Sequence, residues 1–266
     1  MPFQQRSITT GRSPILLVVL GLTGLTFFVV PLLGLLWRVP WKRTPDLLTS
    51  QMVLDALRLS VIASLAATAI SCVIGVPLAW LLARAEFPGK AIVRSIVTLP
   101  LVLPPVVGGT ALLFALGRRG LVGGPLNQVT GLLMPFSLWG VILAATFVAM
   151  PFLVITVEGA LHNLDEKHER AAASLGASRW MVIRRITVPM IAPSLIAGLA
   201  LTWARAFGEF GATVTFAGNL QGRTQTLPLA VFVALESDRD AAVAISMIMV
   251  FVSLIVLIAL RDRWWR

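Results

Sequence analysis

Charge is scarce in this chain. Of its 266 residues, 13% are Asp, Glu, Lys or Arg, while 57% are hydrophobic. A soluble domain carries about 25% charged residues, so much of this surface does not face water, and a single bundle in lipid accounts for the apolar excess. Cysteine is scarcer still. Cys72 stands alone inside an apolar run, which excludes an intramolecular disulfide and any multi-cysteine metal site and reads as a buried structural thiol. The two histidines, His162 and His168, are six residues apart, a poor spacing for two ligands on one helix face, so neither a metal nor another cofactor is expected. A phosphate-cradling loop is also missing: Gly89-Lys90 is followed by Ala91 and lacks the upstream glycine that such loops need. No paired Asp, Ser/His set or H-E-x-x-H falls within the apolar runs, which removes the machinery an intramembrane enzyme would require.

The charge that is present is lopsided, with a formal net value of +10. Such a balance can signal nucleic acid or anionic lipid. Here the basic residues sit in short clusters between apolar runs, such as Arg84, Lys90 and Arg94, or Arg179, Arg184 and Arg185. That is membrane-flanking charge, and no nucleic-acid partner is expected.

A helix needs roughly 20 apolar residues to cross a ~30 Å hydrocarbon core. Six segments qualify: 14–37, 59–83, 95–117, 132–157, 189–209 and 241–260. Gly123–Gln128, with its Gly-Gly-Pro, reads as a loop before the fourth. The first run follows Arg6 and Arg12 but is too long for a signal peptide core and has no small-residue cleavage site after it, so it is expected to stay. With the N-terminus inside, the cytoplasmic segments hold 13 Lys and Arg and the opposite side holds eight. The positive-inside rule then puts both termini in the cytoplasm. The expected fold is all-α, a single polytopic domain of six transmembrane helices.

The most polar stretch is the loop 158–188 between the fourth and fifth spans. From Glu169 to Pro189 it reads E-R-A-A-A-S-L-G-A-S-R-W-M-V-I-R-R-I-T-V-P. Glu166–Ser174 contains good helix formers, Gly176 suits a left-handed C′ position, and Ser178 can cap a restarting helix. Small residues at Ala171, Ala172 and Ala173 leave a flat face that another protein can approach closely, with Ser174 ending this first helix. Pro189 sets the approach to the fifth span.

This loop resembles the cytoplasmic EAA loop of bacterial ABC importer permeases, whose pattern is E-A-A, three residues, Gly, nine residues and I-x-L-P. Ala171, Ala172, Gly176, Ile186 and Pro189 fall at that spacing. Arg170 occupies the usual Glu position, with Glu169 one residue earlier, and Val188 replaces Leu. The resemblance implies a type I importer permease of bacterial or archaeal cytoplasmic membranes, paired as a homodimer. It further implies two ABC ATPase subunits bound at the loops and an external oxyanion-binding protein. The permease itself performs no covalent chemistry.

Two stretches narrow the type. Phe207–Leu229, F-G-E-F-G-A-T-V-T-F-A-G-N-L-Q-G-R-T-Q-T-L-P-L, is similar to molybdate permeases. Sulfate permeases carry a related version with less similar residues after G-E-Y or G-E-F. Molybdate is the implied cargo, with tungstate or sulfate as the alternative, and the resemblance spans about Ala56 to Leu260. Leu99–Gly109 puts three prolines and two glycines, Pro104 and Gly108 among them, inside a span. That is either a kinked packing helix or a pathway element. Arg205 and Glu209 are charges in a span, where one costs ~2.5–3.5 kcal/mol on insertion scales. Four residues apart, they can share one helix face. They are a packing pair, a pathway or gate pair near Thr213, or an end-of-helix feature.

Overall fold

Two prolines shape the longest helices. In the computed structural model, which describes residues 15–264, α3 (Gln51–Arg84) and α9 (Arg179–Phe207) each continue through one widened π-turn. The π-turns, Ser71–Gly75 and Ile183–Thr187, end two residues before Pro77 and Pro189. Proline lacks an N–H and crowds the carbonyl one turn back. A widened turn just ahead of it lets the helix continue with a bend.

The remaining helices are α1 (Ile15–Trp37), α2 (Thr44–Leu48), α4 (Lys90–Val102), α5 (Pro105–Leu116), α6 (Gly123–Thr130) and α7 (Leu138–His162). After these come α8 (Lys167–Ser174), α10 (Gly211–Phe216), α11 (Leu227–Ser237) and α12 (Arg239–Trp264). No strand occurs among the described residues.

Helix α7 is the hub. Two thirds of its most apolar stretch is buried, and α3, α5, α9 and α10 pack against it. The contacts rest on small side chains. Ala145 and Ala149 of α7 meet Ala67 of α3 and Ala206 of α9, and a Cβ on Gly198 would lie 3.1 Å from Leu153 and Thr156. Helices in lipid have little hydrophobic drive to associate, so close approach through small residues supplies the packing. By contrast, α1 buries no residue, and its apolar side chains face outward all round.

Among the described residues, five helices are long and apolar enough to cross a membrane: α1, α3, α7, α9 and α12. The expected third span is not one helix. Leu103 and Pro104 are extended between α4 and α5, because each precedes a proline and is thereby steered away from helical geometry. Other limits shift as well. At 34 residues, α3 is about 51 Å long and starts at Gln51, not Leu59; a run of uncharged residues stops short of the overhang that carries Asp55 and Arg58. The helix of the fourth expected span starts at Leu138 rather than Leu132, where Ser137 Oγ accepts from Gly140 N at 3.2 Å. Gly123–Gln128 is helical, not a loop. Its Pro125 sits in the first turn, where a missing N–H costs no bond. The fifth begins at Arg179 rather than Pro189, and the sixth at Arg239 rather than Ala241, with Asp238 Oδ1 accepting from the backbone N–H groups of Asp240 and Ala241. Pro14, Arg6 and Arg12 lie outside the described residues.

Candidate functional site

The polar loop emerges from the C-terminal end of α7 and folds as a helix, a left-handed turn and a second helix. Gly176 has φ +84°. Its N–H donates to Ala173 O, and Ala177 N–H reaches back to Ala172 O at 3.1 Å. This is the six-to-one bond that closes a Schellman turn, and only glycine adopts that φ without strain. Ser178 Oγ then accepts from Met181 N at 3.3 Å and starts α9. The expected roles of Gly176 and Ser178 in the chain path are therefore present in the geometry.

Glu169, Ala171, Ala172 and Ser174 all lie on α8. Ala171 and Ser174 are exposed, Ala172 is half-buried, and Ser174 Oγ donates to Arg170 O at 3.0 Å. Ile186 lies in the π-turn of α9 and Pro189 just beyond it. Helix α8 buries none of its residues. The outer surface of the loop carries Leu175, 89% exposed, and Trp180, 70% exposed, with Lys167, Arg170 and Arg179 also exposed.

The groups that hold this loop are not apparent from the sequence. Arg84, the last residue of α3, donates from Nη1 to Glu166 Oε1 at 2.6 Å and from Nη2 to Glu169 Oε1 at 3.2 Å. Thr187 Oγ1, fully buried in α9, donates to that same Glu169 oxygen at 2.6 Å. Trp80, Glu166, Glu169, Arg179 and Thr187 line a cleft of about 490 Å³ beside it. Nearby, Arg94 Nε donates to Glu158 Oε1 at 2.9 Å, tying α4 to the end of α7. In the sequence, Arg84 and Arg94 look like no more than flanking charge. The one available signal is Glu158, a carboxylate closing an apolar run and therefore in need of a cation.

The second group of residues surrounds two helix breaks. A Cβ on Gly109 would meet Ala212 O at 2.7 Å, and one on Gly211 would meet Pro105 Cβ at 2.9 Å. The α4–α5 break and the α9–α10 break therefore lie side by side, with backbones in contact. Pro104 forms the first break. Gly108 packs against Phe147, where a Cβ would come within 3.1 Å. Thr213 is buried on α10 with no hydrogen-bond partner for Oγ1.

Arg205 and Glu209 do interact, through Nη1 and Oε2 at 2.5 Å. They do not share a helix face, because α9 ends at Phe207 and Glu209 belongs to the turn beyond it. Glu209 Oε1 accepts from Ala212 N at 2.8 Å, so one carboxylate caps α10 and neutralises the arginine near the end of α9. The Glu209 side chain is 2% exposed, whereas that of Arg205 is 27% exposed.

At the opposite end of α3 and α7, a second cleft of about 420 Å³ is lined by Asp55, Arg58, Ser137, Gly222 and Arg223. Also at that end, Arg43 pairs with Asp238 at 3.2 Å and Asp240 at 2.6 Å, joining the segment before α2 to the start of α12. The backbone N–H of Ala241, and secondarily Arg43, hold the Asp238 carboxyl below the ordinary carboxylate range. Among the described residues no cluster of His, Cys, Asp and Glu is able to hold a metal.

A family model described as binding-protein-dependent transport system inner membrane component matches residues 75–264. The molybdenum transport system permease protein of Mycobacterium tuberculosis is 43% identical over 243 residues, 91% of this chain and 92% of that protein. The sulfate transport system permease protein of Salmonella typhimurium is 32% identical over 255 residues, 96% of this chain and 90% of that one. A chain of a bacterial alginate ABC transporter, solved in complex with an alginate-bound periplasmic protein, shares the fold. Its TM-score is 0.73 at 18% identity, with 92% of each chain covered. The family match takes in the whole polar loop and both helix breaks, and the chain belongs to the inner membrane component family of binding-protein-dependent transport systems.

Proposed function

We propose that this chain is the permease subunit of an ATP-driven molybdate importer, working as a homodimer with two ATPase subunits and an external binding protein. The observation that carries the reading is the segment from α8 to the start of α9. It is a short helix that buries nothing of its own, followed by a left-handed glycine turn. Leu175 and Trp180 stand out into solvent beside exposed cations. Large apolar side chains exposed together mark an interaction surface, and an ATPase subunit is the partner that the family resemblance supplies. The excess of Lys and Arg on this side supports a cytoplasmic position for the loop and for both termini.

The two adjoining helix breaks are the proposed pathway element. Backbone irregularity at membrane depth is tolerated where it is buried in protein or lines a water-filled cavity. Gly108, Glu209 and Thr213 meet the first condition, being buried in the single chain, and the exposed Pro104 meets the second once another copy faces it across the pathway. Arg205 is the cation of this region and is partly uncovered in the single chain. ATP binding favours one arrangement of the ATPase pair. Through the loops it shifts the permease dimer between states that open to opposite sides, and the coupling is reciprocal.

Molybdate is favoured over sulfate because identity to the molybdenum permease, 43%, exceeds identity to the sulfate permease, 32%. Tungstate, an oxyanion of the same shape and charge, is the alternative cargo. The test is uptake of labelled molybdate into proteoliposomes containing the permease, its ATPase and its binding protein, with unlabelled tungstate and sulfate as competitors. Absence of labelled molybdate uptake, or its suppression by an equal concentration of sulfate, would overturn the assignment.

A further inference from the structure

We infer that Arg84 is a positioning residue that fastens the ATPase-facing loop to α3, so that α3, α8 and the start of α9 move as one body. The inference rests on the proposed docking role of α8 and adds the means by which its motion reaches the membrane helices.

Helix α8 has eight residues and buries none of them. An isolated helix of that length is not stable in water, and side-chain packing does not fix its position here. The contacts that do fix it converge on one guanidinium. Arg84 holds Glu166 just before α8 and Glu169 within it. Glu169 Oε1 also receives the Thr187 hydroxyl from the π-turn of α9. One carboxylate oxygen thus joins three separate helices. The side chains of Arg84 and Glu169 are 18% and 19% exposed, and Thr187 is fully buried. The Arg84–Glu169–Thr187 part of the network is therefore sheltered from the screening that weakens surface ion pairs, whereas the Glu166 side chain is 52% exposed. A planar fork can hold two acceptors at once, whereas a lysine offers a point charge on a flexible stem.

The geometry also explains the displaced glutamate in the loop's sequence. With Glu169 turned inward onto Arg84, the position one residue later is free to be Arg170, which is exposed and pairs with Glu166 at 3.4 Å. The loop's carboxylates hold its base, and its cations face outward.

Two readouts test the clasp. In a Cys72→Ala background, spin labels at Leu81→Cys and Ser174→Cys report the distance between the end of α3 and α8. The clasp predicts one narrow distribution, at least twofold broader with Arg84→Gln and intermediate with Arg84→Lys. A width unchanged by Arg84→Gln overturns it. The second readout is molybdate taken up per ATP hydrolysed in proteoliposomes. It is expected to fall at least tenfold with Arg84→Gln and to recover partly with Arg84→Lys. Uptake and hydrolysis falling together, with their ratio unchanged, would mean a merely structural role and overturn the inference. Should Arg84→Gln fail to assemble, Thr187→Val and Thr187→Ser take its place: only Ser keeps the donor, and equal widths for the two overturn the three-way link. If the docking reading fails instead, the label distances still respond to Arg84 while Leu175→Asp leaves ATPase co-purification intact.

Discussion

Losing one member of the Arg205–Glu209 pair is expected to harm the protein more than losing both. Glu209 is 2% exposed, accepts from Ala212 N at 2.8 Å and lies 2.5 Å from Arg205. Arg205→Ala strands that carboxylate without its cation, and breaking a buried pair from one side costs about 3–5 kcal/mol. The double change Arg205→Leu with Glu209→Gln removes both charges and keeps a carbonyl oxygen to accept the Ala212 N–H. Most of the loss should therefore be recovered, leaving a residual cost of about 1 kcal/mol, as for one ordinary hydrogen bond. On the scale of roughly 2–4 °C per kcal/mol for proteins of 150–250 residues, Arg205→Ala lowers the melting temperature in detergent by about 6–20 °C and the double variant by a few degrees. Glu209→Leu falls at or below Arg205→Ala, because it also removes the α10 cap, itself worth about 0.5–2 kcal/mol. The assay is thermal unfolding of the purified permease followed by uptake in proteoliposomes. Equal melting temperatures for all variants would refute the pairing. Full molybdate uptake by a stable double variant would restrict the pair to packing and remove it from the pathway.

Two glycines should separate fold from coupling. A Cβ on Gly176 meets nothing within 4 Å but must adopt φ +84°, so Gly176→Val leaves membrane insertion intact and lowers uptake. On Gly109 the same atom would lie 2.7 Å from a backbone oxygen, so Gly109→Ala costs about 1–3 kcal/mol through overpacking and is seen first in melting temperature. For topology, cysteines at Ser178 and Asn219 in a Cys72→Ala background are labelled from opposite sides of the membrane; labelling of both from outside intact cells contradicts the orientation. Asp238 is held below its ordinary pKa, so its stabilising contribution is present above the unfolded value and is lost only as pH falls through the lower folded one. A spin label at Thr49 should keep its mobility from about pH 7 to pH 5 and loosen below the ordinary carboxyl value of 3.8; loosening near pH ~6, above the range of any unperturbed Asp, contradicts the sign.

The helical class, the long apolar helices and the helix–glycine–helix of the loop were legible because each depends on local sequence. Composition selects the solvent, Gly176 sets a left-handed turn, and Ser178 caps the helix after it. Boundaries were less legible, since apolar runs mark the stretch suited to lipid and not the hydrogen-bonded helix, which in α3 extends back past Arg58 and Asp55. The break at Leu103–Pro104 was partly visible as prolines, but one span was expected where two short helices form. The Arg84 network was not legible. Its members are 82 to 103 positions from Arg84 along the chain, and nothing local distinguishes an arginine at a helix end that pairs with a distant loop from one that flanks a membrane. Glu209 shows the same limit: a spacing of four suggests a helix face, and the chain turns between the two residues.

The measurement that bears most directly on the central claim is site-specific cross-linking to the ATPase subunit. In Cys72→Ala permease assembled with its ATPase, a cross-linker placed at Leu175→Cys or Trp180→Cys is predicted to give a permease–ATPase adduct. The same reagent at Asn219→Cys is predicted to give none. Adducts from Asn219 in an assembled complex, with none from Leu175 or Trp180, would contradict the account.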